Sequence, residues 1–218
     1  MPLFNKIRFA GILLLALFTT SCIELEERIV INADHSGEYS LKLDMGAIMQ
    51  SGMNTFSPSD ELKNFPQMVE KAIQGVSGIS DIKTVSNTKK GLYSVSFHFK
   101  NHKVFKQALV KLAGMKYGFV IPKYMKIGKH RFSKKNIGPL IVKQIKKQEN
   151  SPLTQEVMGI DVASVVNVKT IIELPTPVKS VKKNGRAAIV KDEPKKVEVK
   201  STMKDILNGV STGIVVKY

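Results

Sequence analysis

The sequence has one cysteine, no tryptophan and four histidines in 218 residues, and each scarcity closes off a class of architecture or chemistry. A lone thiol, Cys22, leaves no intrachain disulfide, so stability must come from a packed core. His98 and His102 are four apart but straddle a strand-to-helix junction with no acid or cysteine beside them in sequence, and lysines crowd His130. No metal site is expected. Missing too are a Gly-x-Ser-x-Gly elbow, a phosphate-cradling P-loop and the glycine fingerprint of a dinucleotide fold. Asp34-His35-Ser36 holds all three residue types of a hydrolytic triad, but consecutive residues cannot aim their side chains at one another, and turn chemistry accounts for them. Carboxylates occur in the first and last thirds without a readable glycosidase pair. The expectation is a non-enzymatic protein without a cofactor.

Long apolar runs are absent as well. The run Phe9 to Phe18 has ten residues, which rise about 15 Å as a helix against a hydrocarbon core of roughly 30 Å, so it is too short to span. Lys6 and Arg8 precede it and Thr19-Thr20-Ser21-Cys22 follows, the three-part form of an export signal. Small residues directly before a cysteine resemble the lipobox of bacterial lipoproteins, although Thr19 stands where that pattern prefers leucine. The resemblance implies cleavage between Ser21 and Cys22, a diacylglyceryl thioether on the Cys22 sulfur and fatty acids such as palmitate. It also implies a membrane-anchored protein of the cell envelope. Ile23, in place of an aspartate that retains some lipoproteins at the inner membrane, tilts the expectation to the outer membrane. The bland alternatives are a buried free thiol and an ordinary signal peptide.

The most informative absence is of negative charge. Between Ile82 and Gln148 there are seventeen Lys or Arg and no Asp or Glu. Cys22 to Asp81 has four basic against ten acidic residues, and Glu149 to Tyr218 has eleven against eight. A stretch with no carboxylate cannot pair its lysines locally, so it should project a positive field toward phosphates, sulfates or acidic surfaces.

What is present is a patterned body. Without residues 1–21 the chain keeps 197 residues, enough for one large or two small domains, and 43% of the whole sequence is hydrophobic. Ile23, Leu25, Ile29 and Ile31 share one side of a period-two pattern broken at Glu27, and Tyr39, Leu41, Leu43 and Met45 repeat it. With Asn32 to Gly37 between them, residues 23–45 read as a hairpin. Leu62, Phe65, Val69, Ala72, Ile73 and Val76 recur at helical spacing, with Pro66 expected to delay or kink the start. Residues 79–86 and 93–99 flank a turn at 87–91, and Asn101 suits the cap of a helix that buries Val104, Phe105, Ala108, Leu109 and Leu112. Residues 22–150 thus read as an α+β domain in the order ββαββα, an antiparallel sheet built from hairpins with amphipathic helices on one face. Tyr117 to Ile121 is a candidate strand, and Ile137 to Lys147 a candidate short helix. Residues 151–218 form a β-rich part packed on the same domain, with strands at 162–174, 187–190, 196–200 and 213–216 and a helical turn at Met203 to Leu207.

The opening Cys22, Ile29-Val30-Ile31-Asn32 and Asp34-His35-Ser36-Gly37-Glu38-Tyr39 resembles envelope lipoproteins of the LppM-like group and related Gram-negative lipoproteins. In these a lipidated cysteine leads into a strand, an Asn-x-Asp-Gly-Ser-Gly turn and a second strand. Ile171-Ile172-Glu173-Leu174-Pro175-Thr176-Pro177-Val178 is similar to their strand-proline segment, and His35 replaces the usual glycine in the turn. The resemblance implies an α+β envelope domain and no chemistry.

The basic segment, residues 100–147, is the candidate site. Lys123, Lys126, Lys129, Arg131, Lys134 and Lys135 interleave with Tyr117, Phe119, Tyr124 and Phe132, a pattern that would suggest nucleic acid in a cytoplasmic protein. In an envelope the available polyanions are anionic lipid headgroups, lipopolysaccharide and acidic proteins or glycans, so no nucleic-acid partner is expected. The competing readings are a solvated lysine-rich face, an accessory subunit of an envelope complex, and an envelope hydrolase.

Overall fold

The structure is a computed structural model that describes residues 23–50, 59–113, 125–146, 156–157, 160–182 and 185–218. The leader, Cys22, Lys123 and the candidate strand at 117–121 lie outside them. In chain order the elements begin with β1 (Ile23–Ile31), β2 (Gly37–Asp44), α1 (Gly46–Gln50), α2 (Asp60–Ile73), β3 (Ile79–Asn87), β4 (Leu92–Phe99) and α3 (His102–Ala113). Next come β5 (Met125–Gly128), β6 (Arg131–Lys134), α4 (Gly138–Lys146), β7 (Glu156–Val157) and β8 (Ile160–Asp161). The last run is β9 (Val166–Glu173), β10 (Ser180–Lys182), β11 (Ala187–Ile189), β12 (Lys196–Thr202), α5 (Met203–Leu207) and β13 (Ile214–Lys217).

Seven strands form one sheet in the order β11-β12-β9-β1-β2-β4-β3. It is antiparallel except at its centre, where β1 and β9 run parallel. The first strand of the chain is thus flanked on one side by its own hairpin partner and on the other by the C-terminal third. Period-two alternation puts Ile29, Ile31, Tyr39, Leu41, Val95, Phe97 and Phe99 on one face, all buried. The opposite face is polar and carries cross-strand ion pairs, among them Lys169 with Glu26 and Glu198 and Arg28 with Glu173. Such solvent-accessible surface pairs each contribute about 0–1 kcal/mol, so the buried face carries the stability of the sheet.

A second layer covers the buried face. Helices α2 and α3 lie on β3 and β4, and a four-stranded sheet in the order β10-β13-β6-β5 completes the layer beside α3. Met125, Ile127, Phe132, Ile214, Val216 and Tyr218 of this small sheet share a core with Ile172, Val197 and Val199 of the large one. A second cluster, at the end of the sheet where β1 begins, joins Ile23, Met45, Tyr93 and Val166 to Ile137, Ile141 and Ile145 of the α4 region and Met203 and Ile206 of α5. The α+β fold expected from the patterning is therefore the fold observed, with one addition: half of the covering layer is sheet.

Local signals explain most element boundaries. Asn101 caps α3 by accepting from the backbone of Lys103 and Val104, and Ser59 caps α2 by accepting from Leu62 N at 3.3 Å. Pro66 neither delays nor ends α2, which continues on both sides of it. A proline removes one backbone donor, and the buried stripe of Val69 and Ile73 holds the helix regardless. The candidate strand at 162–174 starts late, because Asp161 accepts from Ala163 N and turns Val162–Ser164 into a 3-10 turn.

The first hairpin shows why its turn has this composition. Asn32 N donates to the Ser36 carbonyl at 2.8 Å and His35 N to the Asn32 carbonyl at 3.0 Å. Asp34 accepts from both the backbone and the hydroxyl of Ser36, which lowers its carboxyl below the usual range. His35 sits at φ 65, the left-handed region where glycine is usual, and Gly37 follows where a Cβ would stand 1.9 Å from the Val30 carbonyl oxygen. A left-handed non-glycine residue costs roughly 1–2 kcal/mol. His35→Gly is accordingly expected to raise unfolding free energy by about 1 kcal/mol, read by urea titration.

The second prediction concerns acid. Asp205 accepts from the backbone N–H and hydroxyl of Thr202 and pairs with Arg186 at 2.6 Å, and these partners hold its carboxyl below the ordinary value. A depressed folded pKa means stability that is present above the unfolded value of about 4 and lost as pH falls through the folded one. Asp205→Asn should therefore lower the melting temperature at pH 7, and the gap to the parent should close below pH 4.

Candidate anion-binding face

The hairpin of β5 and β6 closes on the two residues Lys129 and His130. Its strands are four residues each, too short for period-two alternation to stand out among the surrounding lysines. Alternation nevertheless sets the chemistry. Met125, Ile127, Phe132 and Lys134 are buried, whereas Lys126, Gly128 and Arg131 are exposed.

Lys134 thus has to be corrected as an anion-binding candidate. It points into the space between the layers, 7% exposed, and its ammonium is bonded to the carboxylate of Glu27, also buried. Thr170 accepts from the same ammonium at 3.2 Å and lies 3.4 Å from the carboxylate. Tyr39 donates its hydroxyl to the other Glu27 oxygen at 3.1 Å. Burial, followed by the Glu27 charge, pushes the Tyr39 phenol well above its ordinary value. Glu27 is the residue that breaks the apolar alternation of β1, and the break is explained: it is the counterion of a lysine on the facing sheet. The carboxylate-free stretch pairs this lysine across 107 residues of sequence.

The remaining candidates face outward. Lys126, Lys129, Arg131 and Lys135 are all exposed, and Lys123 lies outside the described residues. Strand register adds two cations that sequence reasoning missed. Across the small sheet Arg131 stands opposite Lys217, with Gly128 and Ser180 at the ends of the row. In the next row Lys126 and Lys182 flank Ser133 and the buried Val215. In the same covering layer α3 packs beside β5, and its exposed Lys103, Lys106 and Lys111 line a groove with Gly75, Val76 and Ser77, which follow α2. No carboxylate belongs to α3 or to any strand of the small sheet. On the polar face of the large sheet, by contrast, the lysines are interleaved with acids: Lys42 pairs with Asp44, Lys169 with Glu26 and Glu198, and Lys200 with Glu198.

The histidines take other partners. His98 lies between Asp81 at 3.0 Å and Glu38 at 3.3 Å on the polar face of the large sheet, and the His35 and His102 rings meet edge to face at 6.2 Å. Among the described residues no group of three histidine, cysteine or acidic side chains is placed to hold a metal ion. No helix among the described residues is long and apolar enough to cross a membrane.

No protein-family model matches the chain, and no curated protein matches it in sequence. Among solved structures it is similar to the folded domain of Mycobacterium tuberculosis LppM, determined by NMR, with 9% identity, a TM-score of 0.44 and coverage of 91% of each chain.

The buried pair makes a double-mutant cycle decisive. Lys134→Met alone leaves Glu27 charged and uncompensated between the layers, a loss of about 3–5 kcal/mol. Replacing both with apolar residues, Glu27→Met with Lys134→Met, should recover most of that loss. Chemical denaturation of the four proteins reads both values.

Proposed function

We propose that the chain is a membrane-anchored lipoprotein of the cell envelope that binds an anionic surface or an acidic partner through its cationic outer face, without catalysing a reaction. The observation that carries this reading is the segregation of charge: outward cations from α3, β5, β6, β10 and β13 with no carboxylate from those elements. The leader, ending in Ser21-Cys22, supports the anchor. Ile23 is already the first residue of β1, so a lipid on Cys22 would hold the body against the bilayer with no linker between them.

Two weak attachments reinforce one another. One acyl chain gives marginal membrane binding, whereas acyl chains with a polybasic patch give firm anchoring. Each basic residue near an anionic membrane adds about 1 kcal/mol. The envelope polyanions that fit are phosphorylated lipid headgroups, lipopolysaccharide and acidic proteins, and Ile23 after the cysteine favours the outer membrane.

Intact mass of the protein from its native cells tests the anchor. The expected result is a chain that begins at Cys22 and carries diacylglycerol and fatty acid, with Cys22→Ala leaving an uncleaved, unlipidated precursor. A chain that starts at Met1 with an unmodified thiol would refute the envelope reading. Flotation of the unlipidated chain with vesicles tests the face: binding to anionic vesicles that weakens with salt is expected, and equal, salt-insensitive binding to neutral vesicles would contradict it.

A further inference from the structure

Arg131 and Lys217 are directly opposite one another on adjacent antiparallel strands and project to the same exposed side. Residues in such register have Cβ atoms about 4.5–5.5 Å apart, and like charges placed so are destabilising. Elsewhere the fold avoids this cost by interposing acids: Lys169 stands opposite Lys200, with Glu26 bonded to the first and Glu198 to both. In the Arg131 row itself, Gly128, Arg131, Lys217 and Ser180, no side chain is a carboxylate. The neighbours are Gly128, without a side chain, and Ser180, a hydroxyl donor.

The backbone beneath the pair is pinned. Tyr218, buried, donates its hydroxyl to the Gly128 carbonyl at 2.6 Å and its N–H to the His130 carbonyl at 3.1 Å. Lys179 N donates to the Lys217 carbonyl at 2.8 Å. The main chain therefore fixes the two side chains at adjacent points of attachment on one side of the sheet, and Lys129 follows Gly128 in the hairpin turn.

From this we infer that the Arg131–Lys217 row is a discrete binding site for a phosphate group. A guanidinium presents a planar fork of donors that matches two phosphate oxygens, an ammonium supplies a point charge, and a hydroxyl completes the set. A carboxylate-bearing peptide fits less well, because among the described residues the small sheet's outer side offers no exposed large apolar side chain of the kind that anchors protein interfaces: Val215, at its centre, is buried, and the exposed Val110 lies on α3. The inference rests on reading the outer face as anion-binding and names the residues and the ligand chemistry within it.

The test uses the unlipidated chain, residues 22–218 with Cys22→Ala, which keeps every described element. Two probes separate the sources: inorganic phosphate, by calorimetry at constant ionic strength, and vesicles containing an anionic phospholipid. Arg131→Gln and Lys217→Gln should each lower affinity about tenfold, the scale of one charge-assisted hydrogen bond. The pair Lys103→Gln with Lys106→Gln, on α3, should lower it less than threefold. Lys217→Gln should also melt no lower than the parent in chloride and lose the extra thermal protection that phosphate gives, so that weaker binding cannot be unfolding. Response to phosphate alone identifies a soluble ligand, and response to vesicles alone a headgroup. Equal loss per charge wherever it is removed would overturn the discrete site while leaving a diffuse cationic face. Binding to neither probe would overturn both.

Discussion

Lys134 and Glu27 meet in the buried space between the two layers, and the outward direction of the neighbouring cations follows from that meeting. Glu27 belongs to the central strand of the large sheet and Lys134 to the inner strand pair of the small one, so their contact fixes how the second layer is set down on the first. An unpaired charge in that space would cost several kcal/mol. Sliding either strand by one residue would turn its charge outward and leave the other stranded, since one step exchanges the two faces of a strand. Thr170 and Tyr39 add hydrogen bonds to the pair, which ties β9 and β2 into the same constraint.

The cationic face is the reverse side of that arrangement. With Phe132 and Lys134 directed inward, Arg131 must project outward, and the pairing of β13 with β6 brings Lys217 beside it. The basic stretch therefore does two jobs with neighbouring residues: Lys134 joins the layers, and Lys126, Lys129 and Arg131 face solvent without acids from their own hairpin. A solvated lysine surface on the large sheet looks different, because there carboxylates are interleaved.

Much of the architecture was legible from local pattern. Both hairpins of the large sheet, the cap of α3 at Asn101 and the short helix Met203–Leu207 follow from alternation, helical spacing and turn residues. The break at Glu27 was visible too, but its meaning was not, since the partner lies on a strand of four residues far along the chain. Lys182 and Lys217 escaped for the same reason: they enter the face through strand pairing, which no local pattern encodes. His35 was legible as a substitution in a turn that favours glycine, and its positive φ is the physical content of that departure. The parallel pairing of β1 with β9, which places the C-terminal third in the same sheet as the start of the body, is likewise a long-range contact without a short-range signal.

The ammonium of Lys134 offers the most direct test. Proton exchange at lysine side chains, followed by nitrogen-detected NMR at neutral pH, separates an ammonium locked in a buried ion pair from one in water. Lys134 should exchange its ammonium protons far more slowly than Lys126 on the same hairpin, and the difference should vanish in Glu27→Gln. Exchange at Lys134 as fast as at Lys126 would contradict the buried contact, and with it the orientation of the small sheet and of its cationic face.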